Sequence, residues 1–336
     1  MYSEIADIKI SGMCSVLPEH TVDNLSYADV FGEEEVKKQI KVTGIRTRRC
    51  LTGEQTIMDL NRFAVDTIMR HTGWHGGEVG VVIYVSAYGN TPIPATAYEL
   101  MRQMGAGEDC IGFDINLGCS AFVNGLYTMS ALLSGMPDGA KGVLVVSDST
   151  SIGGDHADKT VSMLSGDCAC AIAVEKARGT TMKFMQKFDG SRYDYLVRKD
   201  VGHNLQMDGM AVFNFAITDV ADSIRDFFVK FGLSQEEDFD YFILHQAQKF
   251  IVNKVAGFSD IPKKKLLISY NQYGNTGGPS LPATVCANVQ TLREKEKINL
   301  FFAGFGSGLS WAFVTVQMKS SDVIEPFYTD EVWRQE

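Results

Sequence analysis

No apolar run in the 336 residues approaches the roughly 20 that a membrane-spanning helix needs. The first ten residues carry Glu4, Asp7 and Lys9 where a secretory leader has a basic start and an apolar stretch, so the chain reads as cytoplasmic. Positive charge is also in deficit. Lys and Arg number 31 against 41 Asp and Glu, a net charge of -10, and the cations are dispersed, which argues against nucleic acid as a partner. The seven cysteines (14, 50, 110, 119, 168, 170 and 286) form no CxxC, and their only short spacing is Cys168 with Cys170. Zinc and redox dithiols therefore find no support, and the thiols read as reduced, most of them packing as small apolar groups. No low-complexity linker divides the chain, and nothing in it suggests a metal, flavin or nicotinamide, so no cofactor is expected.

What is present is the composition of an ordinary globular protein, with 45% hydrophobic and 21% charged residues. Apolar strand-like runs at 79–85, 111–115, 142–147, 168–174, 241–244, 266–269 and 300–303 alternate with amphipathic helical stretches at 57–72, 121–134, 218–231, 246–256 and 281–294. That alternation predicts an α/β protein with largely buried sheets. The order of parts occurs twice: helix, strand, helix, strand, turn, long helix, then a strand leading into a hairpin. The chain therefore reads as two duplicated halves, 1–177 and 178–336, whose turns meet in one crevice beyond the carboxyl ends of the strands.

Four turns carry the chemistry. In FDINLGCSAFVNGL a strand runs through Gly118 into a helix beginning near Ser120, placing Cys119 at a helix N-terminus. There the dipole and free N–H groups favour the thiolate, so a pKa lowered toward neutrality is expected, and a thiolate suits thioester exchange. Packing of a small residue in a sharp turn is the other reading. His245 ends the strand YFIL at the carboxyl edge, where an imidazole exchanges protons near neutral pH, although a lone histidine is often structural. Asn275 in NQYGNTGGPS offers amide donors that polarise a carbonyl without titrating; ordinary turn chemistry accounts for it equally. The run GFGSGLSW reads as a hairpin whose N–H groups, centred on Ser307, can approach a ligand closely. No Lys-Ser or Lys-Thr follows it, which argues against a phosphate loop.

The segments TGIRTRR, FDINLGCSAF, LSGDCACAIAV, LHQAQKF, YGNTGGPS and GFGSGLSW run in order along nearly the whole chain. Together they resemble the signature blocks of the ketoacyl synthase III family. The resemblance implies a thiolase fold of two βαβαβαββ halves in five layers, α-β-α-β-α, and a homodimer. It implies a catalytic Cys119, His245 and Asn275, an oxyanion hole from the N–H groups of Cys119 and Ser307, and Phe213 beside the substrate tunnel. A core aromatic is the alternative for Phe213. The implied reaction transfers an acyl group from coenzyme A or acyl carrier protein to Cys119, then condenses it with a decarboxylating malonyl-thioester.

Some positions depart from the family pattern. Lys38 stands where members carry a tryptophan against the coenzyme A adenine, and Phe250 stands where an arginine follows the histidine by five residues. Lys249 and Lys254 on the same stretch are candidate carrier-binding residues, with a solvated basic face as the plain alternative. Gly-Gly-Pro in GNTGGPS and Leu-Gly before Cys119 imply a reshaped acyl pocket. Two other functions stay open: acyl transfer to an oxygen or nitrogen acceptor, with His245 as general base, and a non-catalytic partner in a heterodimer.

Overall fold

Every second residue of the strand Val79–Val85 faces a different core. Val81, Ile83 and Val85 enter one apolar cluster, Val82 and Tyr84 another. Lys297–Gly306 behaves likewise, with Leu300 and Phe302 on one side and Phe301, Ala303 and Phe305 on the other. Strands that are apolar on both faces belong to sheets covered on both sides.

The computed structural model describes residues 1–88, 93–152, 159–199 and 205–334. Among the described residues ten strands join one continuous sheet: β1 (Tyr2–Pro18), β2 (Val79–Val85), β3 (Ile111–Ile115), β4 (Lys141–Ser149), β5 (Asp167–Phe188), β6 (Tyr241–Leu244), β7 (Leu266–Leu267), β8 (Lys297–Gly306), β9 (Ser310–Lys319) and β10 (Phe327–Thr329). The longer helices are α1 (Glu33–Thr43), α2 (Ile57–Thr72), α3 (Thr96–Met104), α4 (Ala121–Ser134), α5 (Gly209–Phe215), α6 (Ala221–Phe231), α7 (Lys249–Phe258) and α8 (Ser280–Ala287). None among the described residues is long and apolar enough to cross a membrane.

The strand order is β7-β6-β8-β9-β5-β4-β2-β3, with β1 beside β5. Residues 167–175 of β5 pair with β4, whereas residues 184–188 pair with β9. One long strand thus serves as the fifth strand of one half and the first of the next. Each half then reads third, second, fourth, fifth, first: β3-β2-β4-β5-β1 and β7-β6-β8-β9-β5. The division expected between residues 177 and 178 falls inside β5, between the stretch paired with β4 and the stretch paired with β9.

Helices α4 and α8 are buried on nearly every side, between the two halves of the sheet. Helices α2 and α3 cover one outer face. Helices α6 and α7 cover the other, over a phenylalanine cluster that includes Phe227, Phe242 and Phe301. The result is the five-layered thiolase arrangement.

Candidate active site

The turn after β3 is closed by the Ala121 N–H, which donates to the Gly118 carbonyl at 2.7 Å and starts α4 two residues beyond Cys119. The start of that helix is tied to the β8–β9 hairpin. Ser120 Oγ lies 2.7 Å from Ser310 Oγ, and Asn124 Nδ2 donates to Ser120 Oγ at 3.0 Å. Gly306, the last residue of β8, faces the cysteine so closely that a Cβ there would lie 2.7 Å from Sγ. Only glycine leaves the sulfur its place.

The expected low thiol pKa is overturned. Burial pushes the Cys119 thiol up to about 12, and the nearby Asp148 carboxylate adds to the rise. The N–H groups of Ser307 and of Cys119 itself oppose the shift without cancelling it. Both donors therefore approach the sulfur, as an oxyanion pair there requires, but the resting nucleophile is a neutral thiol. Removing an ion from water outweighs two backbone dipoles here.

His245 closes β6, its N–H bonded to the Ala303 carbonyl at 2.9 Å. The imidazole is 2% exposed, its Nδ1 lies 2.9 Å from Ser280 Oγ, and its ring stands edge-on to Phe305 at 5.7 Å. Burial lowers its pKa to about 4, so it is neutral at physiological pH rather than exchanging protons near 7. The helix expected at 246 begins only at Lys249, because Gln248 is extended. Meanwhile the Gln246 side chain bonds the Leu244 carbonyl and the Ser269 N–H, holding the intervening loop.

Asn275 follows β7, as Cys119 follows β3 in the other half. Its backbone N–H donates to Leu164 O at 2.7 Å, its carbonyl accepts from the Gly166 N–H, and its Oδ1 accepts from the Gly277 N–H at 3.0 Å. With Oδ1 engaged, the amide presents its Nδ2 donor. This loop packs on the cysteine turn, since a Cβ at Gly278 would lie 3.1 Å from Gly118 O and 2.8 Å from the Ala121 Cβ. Cys119, His245, Asn275 and Ser307 are thereby drawn into one centre by three links: Gly306 to Cys119, Phe305 and Ser280 to His245, and Gly278 to Gly118.

Phe213 sits half-buried on α5, stacked on Phe250 with centroids 5.4 Å apart and planes 18° from parallel. Phe250, Lys249, Lys254, Lys38 and Lys263 line one groove of about 900 Å³, so residues from distant segments share a single basic and apolar surface. Lys254 Nζ lies 5.6 Å from the Phe250 ring centroid. Among the described residues no group of His, Cys, Asp and Glu could hold a metal ion.

The sequence reading did not single out Ser280 or Asp148. The signal for Asp148 was a carboxylate ending the otherwise apolar VLVVSD. Ser280 carried none, lying in a loop read for its glycines.

The fold and the groups gathered at its centre define a thiolase-fold protein. Residues 113–190 match the family model described as 3-oxoacyl-[acyl-carrier-protein] synthase III, and residues 232–318 match the model for its C-terminal part. The β-ketoacyl-[acyl-carrier-protein] synthase III of Streptococcus gordonii is 30% identical over 327 residues, covering 92% of this chain and 98% of that protein. The enzyme of that name from Staphylococcus haemolyticus is also 30% identical, over 317 residues, covering 93% and 99%. The crystal structure of 3-oxoacyl-(acyl-carrier protein) synthase from Burkholderia xenovorans superposes with a TM-score of 0.93 at 26% identity, over 98% of this chain and 99% of that one. The chain belongs to the β-ketoacyl-acyl-carrier-protein synthase III family.

Proposed function

We propose that this protein is a condensing enzyme that loads an acyl group from a coenzyme A or carrier-protein thioester onto Cys119 and joins it to a decarboxylating malonyl-thioester. The observation that carries the reading is the Cys119 thiol at the start of α4 with the Gly306–Ser307 backbone packed against it, so closely that a Cβ at Gly306 would lie 2.7 Å from Sγ, which brings the Ser307 and Cys119 N–H groups beside the sulfur. Attack of Sγ on the thioester carbonyl places the developing oxyanion against such donors. The carrier thiol leaves with the proton, and the acyl group remains as a thioester on sulfur.

In the second step the malonyl group loses carbon dioxide, and its enolate oxygen receives two neutral donors, Asn275 Nδ2–H and His245 Nε2–H. Donation by Nε2 requires that Nδ1 accept from the Ser280 hydroxyl, and the 2.9 Å contact suits that tautomer. A histidine neutral above about pH 4 stabilises an enolate by hydrogen bonding and undergoes no titration near neutrality. The enolate carbon then attacks the acyl-cysteine carbonyl, the carbon–sulfur bond breaks, and the departing thiolate takes a proton from solvent to return the free thiol. The basic groove at Lys249 and Lys254 suits an acidic carrier, and Phe213 stacks on Phe250, one of its lining residues. The free edge of β3, whose residues are exposed or half-buried, suits continuation of the sheet into a second copy as a homodimer. The reading places the enzyme in the cytoplasm.

Incubation with acyl-thioesters followed by intact-mass measurement tests the first step. Wild type gains the acyl mass and Cys119→Ala does not. Addition of malonyl-thioester should then release carbon dioxide, and His245→Ala should suppress that release more than it suppresses acylation. Acylation of Cys119 with no carbon dioxide release on addition of malonyl-thioester would instead favour an oxygen or nitrogen acceptor.

A further inference from the structure

A carboxylate that the two steps above do not use lies beneath the site. Asp148, the next-to-last residue of β4, is 1% exposed, and each hydrogen bond to its oxygens comes from a neutral donor. Oδ1 accepts from Ser86 Oγ at 3.0 Å and from the Ala87 N–H at 2.9 Å, in the segment after β2. Oδ2 accepts from the Gly278 N–H at 2.7 Å.

The Gly277–Gly278 segment is the mechanical centre of the Asn275 loop. The Gly277 N–H holds Asn275 Oδ1, and the Gly277 carbonyl accepts from the Ser280 N–H at 3.2 Å. Ser280 in turn contacts His245 Nδ1. The segment lies against the carboxylate so closely that a Cβ at Gly277, whose φ is +72°, would stand 2.5 Å from Oδ2. On its other side Gly278 touches the Cys119 turn through Gly118 O and Ala121. One carboxylate thus spans the segment after β2 and the loop that sets Asn275 and, through Ser280, His245.

We propose that Asp148 is a positioning residue whose carboxylate anchors Gly278 and so fixes the Asn275 amide and the Ser280–His245 pair over Cys119 for the decarboxylation step. The inference rests on the condensing reading above.

The anchor holds all three bonds most strongly while ionised. A proton on Oδ2 would leave a neutral hydroxyl as a poorer acceptor for the Gly278 N–H, and a proton on Oδ1 would compete with the two donors there. The titratable groups that face it are Asp167, Tyr84, Tyr88 and Cys119. Burial, with a smaller push from Asp167, raises its pKa to about 7 against the three bonds that lower it. Protonation of the anchor therefore falls within the working range, and decarboxylation measured on the pre-acylated enzyme should carry an acid limb near there.

Asp148→Asn tests the anchor, because an amide cannot accept from both Ala87 and Gly278. Hydrogen exchange at Gly278, read in wild type and variant, should quicken by about tenfold. Carbon dioxide release should fall by about tenfold to a hundredfold, and by several-fold more than acylation of Cys119 changes. Unchanged exchange at Gly278, or equal loss of both steps, overturns the proposal. Ser86→Ala provides a second arm that keeps both backbone tethers. Loss of a bond to the charged form should move the acid limb of decarboxylation upward by roughly half a pH unit or more, and an unmoved limb counts against the anchor. Should wild type itself release no carbon dioxide, the condensing reading falls, and exchange at Gly278 still decides the tether.

Discussion

At the scale of single residues, the local turn and the surrounding core pull Cys119 in opposite directions. A helix N-terminus and two N–H groups favour the thiolate, yet enclosure beside Asp148 leaves the thiol near pKa 12. Reactivity toward a small alkylating agent should then climb about tenfold per pH unit from pH 6 to 9 with no plateau, because the thiolate fraction is still growing. Alkylation of Cys119 followed by mass spectrometry checks this, and a plateau near neutrality would restore the activated-thiolate picture. Acylation in such a site depends on the donor thioester expelling water and on donors already in place, with little contribution from a standing anion. The placement of Cys119, His245 and Asn275 at strand ends was legible because strand and turn patterns are local. Their protonation was not, since burial arises from α4, β8 and α8, which lie far away in sequence.

Among the elements, those with sharp local signals matched closely. Val79–Val85, Ile111–Ile115 and Tyr241–Leu244 are bounded by turns, and Ala121–Ser134 begins after a tight glycine turn. The misses have tertiary causes. The helix expected over 281–294 is interrupted at Asn288, whose Nδ2 turns to the Ile268 and Thr284 carbonyls, and resumes over Val289–Leu292. The strand Tyr2–Pro18 went unforeseen because its pairing with β5 spans residues far along the chain, and its register shifts twice. Helix α7 brought an unforeseen gain, since its lysines share one groove with Lys38 and Lys263, which no spacing in the sequence reveals. If that groove receives an acidic carrier, Lys249→Glu with Lys254→Glu should raise KM for a carrier-protein thioester by about tenfold with little change in kcat. The effect should shrink as salt rises. Steady-state kinetics at two ionic strengths would check it, and an unchanged KM would assign these lysines to a solvated face.

For the whole molecule, the duplicated plan fixes two buried titratable groups whose effects on stability oppose each other. His245 has a folded pKa of about 4, below its usual 6.5, so its contribution is present above 6.5 and lost as pH falls toward 4. Asp148 has a folded pKa of about 7, above its usual 3.8, so its contribution is present below 3.8 and lost as pH rises through 7. The shifts correspond to roughly 3 kcal/mol for His245 and roughly 4 kcal/mol for Asp148, and between pH 4 and 6.5 the two slopes run in opposite senses. Removing either group should expose the other. Compared with wild type, Asp148→Asn should become less stable by about 3 kcal/mol more at pH 4.5 than at pH 7, leaving the histidine uncompensated. His245→Gln should show the reverse, losing less or gaining at pH 4.5 relative to pH 7. Denaturant unfolding of the three proteins at both pH values measures the two differences. Equal signs would mean that one of the groups is not held in the protonation state its burial dictates, and the neutral histidine of the decarboxylation step would be the first assignment to fall.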